Sequence, residues 1–137
     1  RKNLEYKSEF PLSTTTGTPA PGKMLLFQYG AKTAEKLNFY DRQPLVVVTA
    51  VQGNTFWGVN LHYTKPENRS GILRYIDAGE DLRIIRGYHK YLKSYVDSLF
   101  LDINMQEWEK AIQLPIQDFV RDLGSITLPV SSSRVYR

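Results

Sequence analysis

The sequence contains no cysteine. Disulfides, thiolate metal sites and cysteine nucleophiles are therefore excluded, and the absence is compatible with a reducing compartment. Long apolar runs are missing too. None approaches the ~18 residues that a membrane-spanning helix needs, so no membrane contact is expected. No basic-then-apolar stretch reads as a secretory signal. The first residue is Arg1 rather than Met, and the chain is expected to be processed, trimmed or part of a longer gene product. Histidine is scarce: only His62 and His89 are present. They lie in different segments, without HExxH or other metal-ligand spacing, and read as hydrogen-bonded structural side chains. No GxGxxG, Walker loop or GxSxG is found, and no cofactor is expected. Glu80-Asp81 reads as a solvated loop, because adjacent side chains point apart on most backbones. A Ser–His–Asp site would need Ser70, Ser94 or Ser98 beside one histidine, and nothing in the spacing argues for it. Asn68-Arg69-Ser70 matches a glycosylation sequon by chance, there being no secretory signal.

What is present supports one domain. The chain has 137 residues, 42% of them hydrophobic and 12% aromatic. A chain of this size buries roughly 65–70% of its unfolded surface. Residues 35–63 organise the rest. Leu45 to Val51 and Thr55 to Tyr63 are strand-like runs rich in β-branched and aromatic residues, as fits a half-buried pleated surface. Gln52-Gly53-Asn54 between them supplies the residues that tolerate a tight connection. The pattern predicts a β-hairpin.

The remaining elements follow in order. Residues 1–22 are polar and end in a Ser/Thr/Pro/Gly-rich stretch. They read as an extended arm that orders against a neighbour, or as a disordered terminus. Lys23 to Tyr29 is a strand candidate, and Asp41 to Pro44 a turn. Pro66 near a first turn, Ile72, Leu73, Tyr75 and Ile76 on one face, and Gly79 as a stop predict a helix. A second, shorter helix is expected over 88–95. Ser98 to Ile103 returns to strand character. Residues 105–112 are read as a helix with Trp108 and Ile112 on one face. Ile116, Phe119 and Val120 suggest one further turn packed on the core, and residues 126–128 a last strand. The expected fold is mostly β with helices. Five short strands would close a small antiparallel SH3-like barrel over residues 23–128, with a helical insertion at about 65–96. Residues 129–137 read as a polar C-terminal tail. No internal repeat is visible.

Charge is unevenly distributed. The net charge is +4. Residues 1–96 carry 14 Lys/Arg against 8 Asp/Glu, whereas residues 97–122 carry 2 against 6. Such asymmetry allows one face for phosphate and another for a basic partner, or simply a mixed solvated surface. The basic set Lys65, Arg69, Arg74, Arg83, Arg86, Lys90 and Lys93 is interleaved with Tyr75, Tyr88, Tyr91 and Tyr95. Cations contact phosphates and aromatics stack on bases, so this mixture suits nucleic acid. A helical pair with tyrosines turned inward and charges in water would give the same pattern.

Several phrases carry a resemblance: Pro21-Gly22-Lys23-Met24, Leu37-Asn38-Phe39-Tyr40-Asp41 with Pro44-Leu45, and Gly58-Val59-Asn60-Leu61-His62-Tyr63. Later ones are Tyr91-Leu92-Lys93-Ser94, and Glu107-Trp108-Glu109-Lys110-Ala111-Ile112 with Leu114-Pro115-Ile116 and Phe119. Over roughly residues 21–119 the chain resembles a structural-protein family of tailed bacteriophages related to the T-even myophages. Its members are often labelled DNA end protector, a head-completion protein. The resemblance implies a protein without catalytic activity, located in the virion and in the host cytoplasm during assembly. It would belong to an oligomeric assembly, with other virion proteins of the neck, tail or baseplate as partners. At the neck it would contact the end of the packaged phage DNA. The alternative is a tail or baseplate joint with no DNA contact. A cell-wall hydrolase, a third class, lacks any catalytic constellation in the sequence.

Overall fold

The computed structural model describes residues 12–136. The part of the expected arm before Leu12 lies outside the described residues. The strands are β1 (Thr14–Gly17), β2 (Met24–Leu26), β3 (Tyr40–Asp41), β4 (Leu45–Gln52), β5 (Thr55–Asn60), β6 (Tyr88–Leu92), β7 (Phe100–Ile103), β8 (Phe119–Asp122) and β9 (Thr127–Pro129). Among the described residues, three short α-helices accompany them: α1 (Arg69–Asp77), α2 (Trp108–Ala111) and α3 (Ser132–Val135). One antiparallel sheet has six strands in the order β1-β7-β2-β4-β5-β6, and a second has three in the order β3-β8-β9.

The hairpin is the backbone of the larger sheet. Gly53 adopts φ +58° between the last pair, Gln52 and Thr55, which is the conformation a two-residue turn demands of its first residue. A bulge at Thr49 shifts the register between Val48 and Ala50, and the Thr49 hydroxyl donates to the Trp57 carbonyl. Before the bulge the strand is not half-buried, as its composition suggests, but buried on both faces. Leu45 and Val47 join Met24, Leu26, Leu101 and Ile103 on one face, under Leu73, Trp108 and Ile112 from the helical segments. Val46 and Val48 join Leu25, Phe27, Phe56 and Tyr91 on the other. Phe27 meets Tyr29, Phe56, Tyr91 and Phe100 edge-on, with centroids 5.2–6.1 Å apart. Past the bulge the strand alternates between half-buried and exposed positions.

Most predicted elements appear near their expected places, and three do not. Residues 88–95 are not a helix. Gly87 sits at φ +95°, which breaks any helix running into this segment, and Tyr88–Leu92 pairs along β5 as an edge strand. The turn expected around Phe119 is strand β8, paired with β3 and β9. The strands also do not close into a barrel. Among the described residues the larger sheet ends at β1 and β6, while β8 and β9 leave it for the smaller sheet. The fold is therefore mixed β with few helices, built from open antiparallel sheets. Part of the expected arm is itself structured, because Thr14–Gly17 pairs with β7. At the other end Val135 of α3 is fully buried.

Candidate nucleic-acid interface

The seven basic residues read from the sequence do not form one surface. Arg69 is 1% exposed, and burial pulls its pKa down. Its guanidinium donates to the carbonyls of Thr64 (2.8 Å), Ile112 (2.7 Å) and His62 (3.5 Å), and to the Tyr136 hydroxyl (3.1 Å). It ties α1 to the end of α2 and to the C-terminal helix, and its donors are spent inside the protein. Arg83 is exposed but forks onto Asp81 at 2.9 Å. Hydrogen bonds from the Arg83 side chain and backbone hold the Asp81 carboxyl down at about 2. Lys65 and Arg74 are exposed around α1. Arg86 is exposed, near enough to Tyr63 to act on its phenol. Lys90 is exposed on β6, and Lys93 is half-buried in the turn that follows.

Beside β6 lies a cleft of about 450 Å³, a feature that sequence reasoning did not anticipate. Its lining brings together Tyr29, Ala31, Thr33, Leu37 and Phe39 with Tyr63, His89, Tyr91 and Leu92, and includes Lys32 and Lys90. The Tyr63 and His89 rings are in contact, with centroids 4.8 Å apart, and Tyr63 meets Phe119 edge-on at 5.0 Å. The positions follow from β-geometry. His89 and Tyr91 are two apart on β6 and so share a face, while Gly87 brings the chain against Asn60 and Tyr63. A Cβ at Gly87 would lie 2.6 Å from the Asn60 carbonyl. Burial lowers the His89 pKa, so the ring is neutral near pH 7. Its Nδ1 faces the Gly87 carbonyl at 2.7 Å, which can only accept. The available signal was the density of aromatics at 39–40, 63 and 88–91, but only the fold shows that they converge.

Under the cleft runs a buried polar network. Asp41 Oδ2 accepts from His62 Nδ1 at 2.6 Å and from Asn60 Nδ2 at 2.9 Å. Asp41 Oδ1 accepts from the backbone N–H of Gln43 and Asp118. Asn60 Oδ1 accepts from the N–H of Leu45 and His62. Burial alone would raise the Asp41 carboxyl. The His62 imidazole and the hydrogen bonds from His62, Asn60 and Asp118 outweigh it and hold the group below its ordinary value. An ionised carboxylate only accepts, so His62 Nδ1 carries the proton. Burial pushes the Tyr63 phenol up, and the Asp41 charge adds to the effect. His62 is fully buried, and its Nε2 has no hydrogen-bond partner among the described residues.

The Asp41–His62 pair has the geometry of two members of a triad, but among the described residues no hydroxyl is hydrogen-bonded to His62 Nε2. The three hydroxyls that sequence reasoning considered are held elsewhere. Ser70 donates to Glu109, Ser94 bonds Asn54, and Ser98 accepts from the Gln28 N–H and donates to Leu99. Among the described residues there is no cluster of three His, Asp or Glu side chains that could hold a metal ion. No helix among them is long and apolar enough to cross a membrane.

A family model described as phage T4 terminal DNA protecting protein matches residues 10–78, just over half of the 137-residue chain. The match runs from β1 through α1. It includes the loop side of the cleft, Asp41, Asn60, His62 and Tyr63, and it ends before β6. No curated protein and no solved structure matches the chain.

Proposed function

The chain belongs to the family of the phage T4 terminal DNA protecting protein, and on that premise we propose that it is a non-enzymatic virion protein that covers the end of the packaged phage genome. The observation that carries this reading is the family match over residues 10–78. Its place is at head completion or the neck, where a genome end is held, and it reaches that place from the cytoplasm of the infected cell. Covering an end without regard to sequence calls for contacts to phosphate rather than to base edges. Lys32, Lys90 and Lys93, with Lys65 and Arg74, supply cations for it, the first two being exposed residues of the cleft lining.

The test is a gel-shift titration of linear duplex at two salt concentrations. Each phosphate contact contributes about 0.9 to the slope of log affinity against log salt. Lys32→Glu, Lys90→Glu and Lys93→Glu combined should weaken binding to all sequences alike and lower the slope by about 0.9 for each of these lysines that meets a phosphate. Salt-insensitive binding, or none at low salt with a folded protein, would count against the reading. A second reading, a virion joint without DNA contact, is favoured by one observation. Leu123, Ile126 and Leu128 around β8 and β9 are 47%, 54% and 41% exposed, an apolar edge suited to a protein neighbour. It expects no DNA binding, and failed particle assembly when these three become Ser.

A further inference from the structure

We propose that the cleft beside β6 seats one unstacked base from the DNA terminus, with Lys32 and Lys90 on the adjoining phosphates. This rests on the reading that the protein covers a DNA end, and deepens it by naming what the cleft takes. Three features of the cleft select the ligand. Its volume, about 450 Å³, lies in the range of pockets that enclose small molecules, about 300–1,000 Å³. Its lining is rich in aromatic rings, Phe39 and Tyr63 beside the neutral ring of His89. Every base offers a π-face, so such walls hold a base without preference for its identity.

The charges decide which end of a nucleotide enters. Asp41 lines the cleft and is ionised, with both carboxylate oxygens already accepting hydrogen bonds. An anion drawn inside would meet that charge in a poorly solvated place. A phosphate therefore stays outside, on the exposed Lys32 and Lys90, and a neutral base goes in. Asn60, also lining the cleft, spends one amide hydrogen on Asp41. A terminal base is the natural occupant. An internal base must give up pairing and stacking on both sides before it can leave the helix, whereas an end nucleotide has only one stacked neighbour. The cleft thus distinguishes an end from continuous duplex without reading sequence.

The experiment uses the full chain and a hairpin-closed duplex with one free end that carries a single unpaired nucleotide. In one probe that nucleotide is 2-aminopurine, whose fluorescence falls when it stacks. In the other the 2-aminopurine is at mid-duplex. Titration should quench the terminal probe and leave the internal one unchanged. His89→Leu and Phe39→Leu, two separate variants that keep apolar volume, should each reduce the affinity for the free end by about 5- to 150-fold, the range expected for one base stack. Each should be compared at an unchanged melting temperature, so that a folding defect is not mistaken for weaker stacking. Binding to the duplex with an unquenched terminal probe and unaltered affinity in both variants would overturn the cleft proposal and leave end covering standing. No binding to any duplex at low salt would overturn the end-covering reading and the cleft proposal with it.

Discussion

Trp108→Ala should destabilise the domain by about 3–5 kcal/mol, the range for removing a large buried aromatic side chain. Trp108 is 8% exposed and packs in the cluster that holds Leu101, Ile103, Ala111 and Ile112. Its indole N–H donates to the Ile103 carbonyl at 3.0 Å, so the ring fixes α2 to the end of β7. Leu114-Pro115 follows directly and prevents the helix from lengthening in compensation. Denaturant melts measure the loss. A cost below about 1 kcal/mol would mean that the ring contributes little burial energy. Trp108→Phe should retain most of the packing and lose mainly the hydrogen bond, at a cost of about 1–3 kcal/mol.

Asp41→Ala should cost a similar amount, about 3–5 kcal/mol, for a different reason. Removing one member of a buried charged network leaves its partners unpaired in a place that water does not reach. Four donors lose their acceptor at once: His62 Nδ1, Asn60 Nδ2 and the N–H groups of Gln43 and Asp118. The same carboxylate makes the wild type acid-sensitive. Its folded pKa lies below its unfolded value of about 4. The unfolded chain therefore binds the proton first, and the stabilisation is fully present above pH ~4. It is lost as the pH falls from there through the folded value. Melts from pH 7 down to pH 2 should show a steeper acid loss in the wild type than in Asp41→Ala. Parallel curves would show that Asp41 does not govern the acid limb.

Local structure is legible in the sequence where one signal dominates. Gly53 marks the hairpin turn, and Pro66 with Gly79 bounds α1. Trp108 and Ile112 read as one buried face, and both are buried. The segment 88–95 reads as a helix because Tyr88, Tyr91, Leu92 and Tyr95 fit a helical spacing as well as a strand. What decides for the strand is tertiary: Tyr91 stacks on Phe56 with centroids 5.4 Å apart, and the free edge of β5 offers a ladder. Phe119 and Val120 carry the same ambiguity, resolved by pairing with β3. Composition singles out Lys65, Arg74 and Lys90, which are exposed. It cannot distinguish Arg69, whose charge is spent on carbonyls brought together from distant segments. Asp41 and His62 are 21 residues apart and fit no motif, so their pairing exists only in the fold.

The central claim, that the protein covers DNA ends, is tested most directly by competition. Labelled linear duplex bound by the full chain is challenged with unlabelled DNA of one sequence and equal base-pair content, either fragmented into short linear pieces or covalently closed into a relaxed circle. The account predicts that the fragments displace the label in proportion to their number of ends and that the circle displaces it poorly. Equal displacement by circle and fragments would contradict it, because it would leave only general attraction to the DNA backbone.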